Sequence, residues 1–155
     1  MLPGPYNNNY QIVQTPDYVM ITIEMFHEVR IIPLDGRPHL PQTMRKWSGD
    51  SVGHWENNAL VVDTTNFTDR THFRGSDQHL HLIERFKRTA QDTILYEFTV
   101  DDPTAFLKPW RAEIPMMRTV GPMYEYACHE GNLALGRILS IARQAERAAS
   151  RTGSK

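Results

Sequence analysis

Short runs of β-branched and aromatic residues alternate with turn signals along most of the chain. Asn57-Asn58 is one such signal, since asparagine tolerates the positive φ that a two-residue hairpin loop needs. The runs predict strands at Tyr10–Thr15, Tyr18–Met25, Val29–Leu34, Val52–Glu56, Ala59–Asn66, His79–Thr89, Thr93–Asp101, Trp110–Arg118 and Met123–Cys128. Nearly every strand is joined to its sequence neighbour by a short connection, so the pattern predicts one antiparallel meander.

A long meander leaves unpaired edges, and closing the sheet on itself removes them. We therefore expect a mainly β fold: a lipocalin-like barrel of about nine antiparallel strands. A β-sandwich of two sheets is the alternative architecture.

The hydrophobic period changes near the C-terminus. Leu133, Ile138 and Ile141 recur at helical spacing after Glu130, which predicts one C-terminal helix. The expected organisation is an extended lead-in at 1–9, a single barrel domain at 10–150 that includes a helix at roughly 130–150, and a disordered tail at 151–155.

The composition of the chain disfavours several classes of binding partner and site. The chain has 155 residues, with 17 Lys and Arg against 18 Asp and Glu and no block of like charge, which disfavours a nucleic-acid surface. No apolar run is long enough for a transmembrane helix. The single cysteine excludes an internal disulfide and a cysteine-rich zinc site. No signal peptide is recognisable, which leaves open a cytoplasmic protein or an exported one whose leader has been removed.

The first hairpin brings one charged residue to an apolar face. If His27-Glu28 is a two-residue loop, Met25 lies opposite Arg30, and this face is expected to point inward. The other face carries Thr22 and Glu24 and is expected to face solvent.

The other two hairpins also predict which residues face the interior. Around Asn57-Asn58, the predicted interior face holds Ser51, Trp55, Leu60, Val62 and Thr64. Around Gln91-Asp92, the larger aromatic residues favour as interior the face of His79, His81, Ile83, Arg85, Tyr96, Phe98 and Val100. A one-residue slip would exchange the two faces of this last hairpin and bury Glu84 and Glu97 instead.

Arg30, His81 and Arg85 are the candidate catalytic residues. In the preferred pairing they share an apolar interior, where buried charges need internal carboxylates or a bound ligand. A neutral His81 beside two guanidinium groups would serve as a general base while the arginines hold the developing anion. The competing interpretation is an interior polar network without chemistry.

The predicted function is the binding of a small, mostly apolar or aromatic molecule with an anionic or carbonyl end. The expected ligand-binding residues are Trp55, Thr64, Phe98, Trp110 and Tyr124. If the chain is an enzyme, we expect a cofactor-free lyase or isomerase. The alternatives are a non-catalytic carrier or sensor, and a structural or interaction domain that pairs with a partner or with a second copy as a homodimer.

A metal site at His79-Leu80-His81 is a less favoured hypothesis. Alternate residues of a strand share a face, so both imidazoles could reach one ion. The pattern departs from the cupin arrangement that it resembles, because the later carboxylate and histidine of that arrangement are missing. We expect no metal and no cofactor.

Several strings resemble those of a group of bacterial proteins without a known activity. They are Trp47-Ser-Gly-Asp-Ser-Val-Gly-His-Trp-Glu56, Leu60-Val-Val-Asp-Thr-Thr-Asn-Phe67, Leu80-His-Leu-Ile-Glu-Arg-Phe86 and Tyr124-Glu-Tyr-Ala-Cys-His-Glu-Gly-Asn132. The resemblance runs from about Pro5 to Arg143 and implies one intact domain. Members are often longer at the N-terminus and carry a secretion leader. The resemblance implies no chemistry.

Overall fold

The computed structural model describes residues 8–124, 126 and 130–152, with side chains as far as residue 147. The chain divides into two compact units after Glu125. The described strands are β1 (Tyr10–Gln14), β2 (Tyr18–Ile23), β3 (Val29–Pro33), β4 (Asp50–Glu56), β5 (Ala59–Thr65), β6 (His81–Ala90), β7 (Thr93–Asp101) and β8 (Trp110–Met117). All eight overlap predicted strands. Half of the ninth, at Met123–Cys128, lies outside the described residues, as do most of the lead-in and most of the tail.

The eight strands form two antiparallel sheets. One contains β1, β2 and β3 in that order, and the other contains β4 to β8 in sequence order. The predicted mainly β fold of sequence-adjacent antiparallel strands is therefore confirmed.

The predicted barrel is wrong, and the sandwich alternative fits. Within the described part of the chain, β3 is not hydrogen-bonded to β4 and β8 is not hydrogen-bonded to β1. The break after β3 has a local cause. Pro33 ends the strand, and Pro38 and Pro41 follow within a connection that has no regular element. Proline has no N–H to donate, so this segment cannot continue the ladder.

The Asn57-Asn58 hairpin has the predicted register. Trp55 pairs with Leu60 and Ser51 with Thr64, and both asparagines have positive φ, at 48° and 61°. Leu60, Val62 and Thr64 are buried, as predicted for this face, whereas Trp55 at the turn end is half exposed.

The first hairpin is shifted by an even number of residues. Arg30 pairs with Ile21 rather than Met25, because the turn is longer than two residues. An even shift preserves the faces, so Arg30 points inward as predicted. The expectation of a solvent face fails at two positions, since Thr22 and Glu24 are buried.

A β-bulge changes the faces of the third hairpin. Ala90 pairs with Thr93 beside the turn, but Arg88 pairs with Ile94, so Thr89 is an extra residue on β6. Beyond the bulge Phe86 lies opposite Tyr96 and Glu84 opposite Phe98. The predicted interior face is therefore correct for β7 and wrong for β6, where the single extra residue exchanges inside and outside.

The core lies between the inward faces of the two sheets. Val19, Ile21 and Ile32 come from the smaller sheet and pack in one cluster with apolar residues of the larger one, among them Leu60, Val62, Phe86, Tyr96, Phe98 and Val100. Gly53 of β4 permits the closest approach. A Cβ at that position would lie 2.8 Å from Cγ2 of Ile32 and 3.1 Å from Cδ2 of Leu34.

The second unit contains α1 (Ala134–Thr152), in agreement with the predicted helix. Asn132 caps its N-terminus, since the side-chain oxygen accepts the backbone N–H of Ala134 at 3.1 Å.

Replacing Gly53 by alanine should destabilise the sandwich, because the added methyl group would collide with Ile32. We expect a loss of about 1–3 kcal/mol in the free energy of unfolding, measured by urea denaturation. Gly136→Ala is the matched control, since nothing lies within 4 Å of its Cβ position. Equal stability of Gly53→Ala and the native chain would contradict the close packing of β4 on Ile32.

Candidate functional site

A buried polar network joins the two sheets. The guanidinium of Arg30 donates to both carboxylate oxygens of Glu84, from Nη1 at 3.1 Å and from Nη2 at 2.6 Å. Nη2 also donates to the hydroxyls of Ser51 at 3.0 Å and Thr64 at 3.1 Å. The hydroxyl of Tyr96 donates to Glu84 at 2.8 Å. Arg30 is 7% exposed and Glu84 is fully buried, so this network crosses the core.

The network keeps both charges ionised. Burial alone would raise the pKa of Glu84, but the charge of Arg30 and the hydrogen bonds from Arg30 and Tyr96 hold it below its usual range. Burial and the neighbouring Glu84 raise the pKa of Tyr96, so its phenol stays a hydrogen-bond donor. The carboxylate partner that a buried Arg30 requires is thus Glu84, which the preferred pairing had placed on the outer face.

His81 and Arg85 do not join Arg30. They lie on the outer face of the larger sheet, because they alternate with the inward-facing Glu84. Arg85 pairs there with Glu56 at 3.1 Å. The expected shared interior of Arg30, His81 and Arg85 is therefore not formed, and the cause is the bulge at Thr89.

His81 belongs instead to a chain of alternating carboxylates and imidazoles. Its Nε2 lies 3.0 and 3.1 Å from the two carboxylate oxygens of Asp63. Nε2 of His39 lies 3.1 Å from the same Asp63, and Nδ1 of His39 lies 3.3 Å from Asp50. We call these four residues the His–Asp chain. An ionised carboxylate only accepts hydrogen bonds, so His39 makes both of its contacts only when both ring nitrogens carry protons.

The His–Asp chain fixes the irregular connection before β4. Asp50 accepts the backbone N–H of Leu40 at 3.0 Å and the ammonium of Lys46 at 2.9 Å, in addition to His39. Through Asp50 and Asp63, the segment around His39 is held against β4 and β5. Such a cluster can stabilise the fold or transfer protons. These contacts directly account for the stabilising role.

The predicted ligand-binding residues do not surround a common space. Thr64 and Phe98 are buried in the core, and Trp110 packs edge-on against Phe98 at 5.7 Å. Trp55 and Tyr124 are exposed on the surface. The structure therefore does not bring these five residues together around one site.

The two histidines of the metal hypothesis have separate partners. His79 lies before the start of β6 and its Nδ1 contacts Asp77 at 3.1 Å, whereas His81 contacts Asp63. Within the described residues, no group of three or more His, Cys, Asp or Glu side chains is placed to hold a metal ion.

A cavity of about 690 Å³ opens where β1 and β8 fail to pair. Its apolar walls come from both sheets, and we call it the edge cavity. They include Tyr10, Ile12, Phe86, Tyr96, Ile114 and Met116. The rings of Phe86 and Tyr96 stack at 4.8 Å, so the wall formed by the larger sheet is aromatic.

A polar contact lies at the rim of the edge cavity. Asn9 donates from its backbone and side-chain nitrogens to Glu24, at 3.2 and 2.8 Å. Its side-chain oxygen accepts the hydroxyl of Thr119 at 2.9 Å. Asn9 thereby ties the segment after β8 to the start of β1. These contacts also explain why Glu24 is buried on a face that was expected to be solvated.

Sequence reasoning missed the lining of the edge cavity. The available signal was the alternation of Tyr10 with Ile12 and of Ile114 with Met116, which marks one apolar face on each edge strand. That signal predicts a cavity only in a sandwich, because a closed barrel would have paired the edge strands β1 and β8.

Comparison with protein-family models, curated proteins and solved structures found no match. In the part of the chain that the structure describes, no helix is long and apolar enough to cross a membrane.

The His–Asp chain predicts a pH-dependent contribution to stability. The hydrogen bond to His81 lowers the pKa of Asp63, and the same bond raises the pKa of His81, while partial burial opposes both shifts. The stability gained at Asp63 is present above its unfolded pKa of about 3.9 and is lost as the pH falls through its lower folded pKa. The stability gained at His81 is present below about pH 6.5 and is lost as the pH rises through its higher folded pKa.

Asp63→Asn should therefore cost most between about pH 4 and 6.5, by about 1 kcal/mol or less because the pair is partly exposed. Urea denaturation between pH 3 and 9 measures the difference from the native chain. Asp77→Asn is the matched control, because it removes the exposed contact with His79. A difference for Asp63→Asn that stays constant with pH would contradict the assignment.

Proposed function

We propose that this protein binds a small, mostly apolar molecule in the edge cavity. The observation that carries the proposal is the cavity itself, whose volume of about 690 Å³ lies in the range of sites for small ligands. Aromatic and aliphatic residues on strands of two packed sheets form much of its wall, and polar residues such as Gln11, Arg88 and Asp92 also line it. Such a site gains affinity from the removal of apolar surface from water.

Binding without chemistry is better supported than catalysis at this site. The acid–base hypothesis needs His81 and the two arginines around one ligand, but only Arg30 faces inward. His81 is five residues from Phe86, a lining residue on the same strand, which is roughly 17 Å of extended chain. It also points to the opposite face. A carrier or sensor of apolar molecules is therefore the function that we propose.

Acid–base chemistry on the outer face is the second candidate. Its support is the hydrogen bond between Nε2 of His81 and Asp63, because a carboxylate in that position orients an imidazole and leaves Nδ1 to exchange a proton. This reaction would take place away from the edge cavity. Chemical conversion of a bound ligand that His81→Ala abolishes would favour it over the carrier.

Filling the edge cavity should abolish binding. We expect the native chain to bind the uncharged fluorophore N-phenyl-1-naphthylamine with a Kd between about 1 and 100 µM. Met116→Trp should weaken this binding by at least about ten-fold, because the indole occupies the space of the ligand. Fluorescence titration measures both, with circular dichroism to establish that the variant is folded.

Met44→Trp is the matched control, because Met44 is exposed and lies outside the edge cavity. It should bind the fluorophore as the native chain does. The absence of binding by the native chain would overturn the proposal, as would undiminished binding by a folded Met116→Trp variant.

A further inference from the structure

The cations around the edge cavity already have partners. Arg88 donates to the backbone carbonyls of Ala90 and Gln91, and Arg118 lies 3.4 Å from the carboxylate of Asp92. Arg30, behind the aromatic wall, is neutralised by Glu84. The positive charges around the cavity are therefore partly compensated before any ligand binds.

The two tyrosine hydroxyls of the edge cavity differ in their contacts. Tyr96 donates its hydroxyl proton to Glu84, so that donor is used within the core. Tyr10 lines the same cavity from β1, and its hydroxyl makes no hydrogen bond with the described residues. The ring of Tyr10 packs against the core cluster, and this packing also restricts the position of its hydroxyl.

We propose that the Tyr10 hydroxyl donates a hydrogen bond to a carbonyl or ether oxygen of the ligand, and that the edge cavity selects neutral ligands over anionic ones. The inference rests on the proposed function and narrows its ligand class. A fixed donor beside apolar walls favours the ligand that places an acceptor there, because an unmade hydrogen bond leaves a partly buried polar group unpaired.

The electrostatic surroundings of Tyr10 agree with this role. Burial and the charge of Glu84 raise the pKa of Tyr10, so its phenol keeps the proton that it would donate. A carboxylate would also have to give up more of its hydration than a neutral carbonyl oxygen in order to enter the apolar part of the cavity.

Three naphthalenes of nearly equal shape test the inference. 2-Ethylnaphthalene has no acceptor, 2-acetylnaphthalene has a carbonyl oxygen, and 2-naphthoate has a carboxylate. Their affinities are measured by titration calorimetry with the native chain and with Tyr10→Phe. Tyr18→Phe is the matched control, because Tyr18 is a tyrosine of the neighbouring strand that does not line the edge cavity.

We expect the native chain to bind the ketone about five-fold more tightly than the hydrocarbon, which is the effect of one hydrogen bond. The naphthoate should bind more weakly than both. Tyr10→Phe should abolish the preference for the ketone while leaving affinity for the hydrocarbon unchanged, and Tyr18→Phe should change neither.

The outcomes separate the inference from the proposed function. If the hydrocarbon binds but the ketone is not preferred, or if Tyr10→Phe retains the preference, the role of Tyr10 is overturned and the edge cavity remains a ligand site. Tighter binding of the naphthoate would overturn the selection of neutral ligands. If none of the three binds to the native chain, the proposed function itself fails.

Discussion

Arg30 and Glu84 place two opposite charges between the sheets, one on β3 and the other on β6. A lone buried charge costs several kcal/mol, so each residue is tolerated in the core only because the other is there. The two hydrogen bonds between them join the smaller sheet to the larger one. They also constrain β6, since a one-residue slip would turn Glu84 outward and leave Arg30 without its counter-charge. The bulge at Thr89 reconciles this register with the tight turn that follows.

The register of β6 also places the titratable groups and the apolar cavity on opposite faces of the larger sheet. Because Glu84 and Phe86 face inward, His81 and Arg85 face outward, and the titratable His–Asp chain lies on the other side of the larger sheet from the edge cavity. The inward side offers apolar walls and the hydroxyl of Tyr10, which has no hydrogen-bond partner among the described residues. The outward side carries the groups that could transfer protons. This division is the reason why we propose the binding of a neutral ligand rather than catalysis on it.

Local sequence signals predicted the elements well, whereas their assembly depended on contacts distant in sequence. Hydrophobic alternation and turn residues located all eight described strands, and the Asn57-Asn58 turn determined a register. The inward position of Arg30 followed from its apolar neighbours on the same face. Its pairing with Glu84 did not follow, because the extra residue at Thr89 lies in a polar segment and gives no recognisable sequence signal for a bulge. The sandwich and its edge cavity were not predictable from pairing rules alone, since these do not show whether β1 and β8 meet.

A double-mutant cycle on Arg30 and Glu84 tests the central claim that this pair joins the sheets. The free energy of unfolding is measured for Arg30→Met, Glu84→Met and the double variant. We expect each single substitution to cost about 3–5 kcal/mol, because it leaves one uncompensated buried charge. The double substitution should cost less than the sum by at least about 2 kcal/mol, since it removes both charges together. Additive effects, within about 0.5 kcal/mol, would contradict the pairing of Arg30 with Glu84.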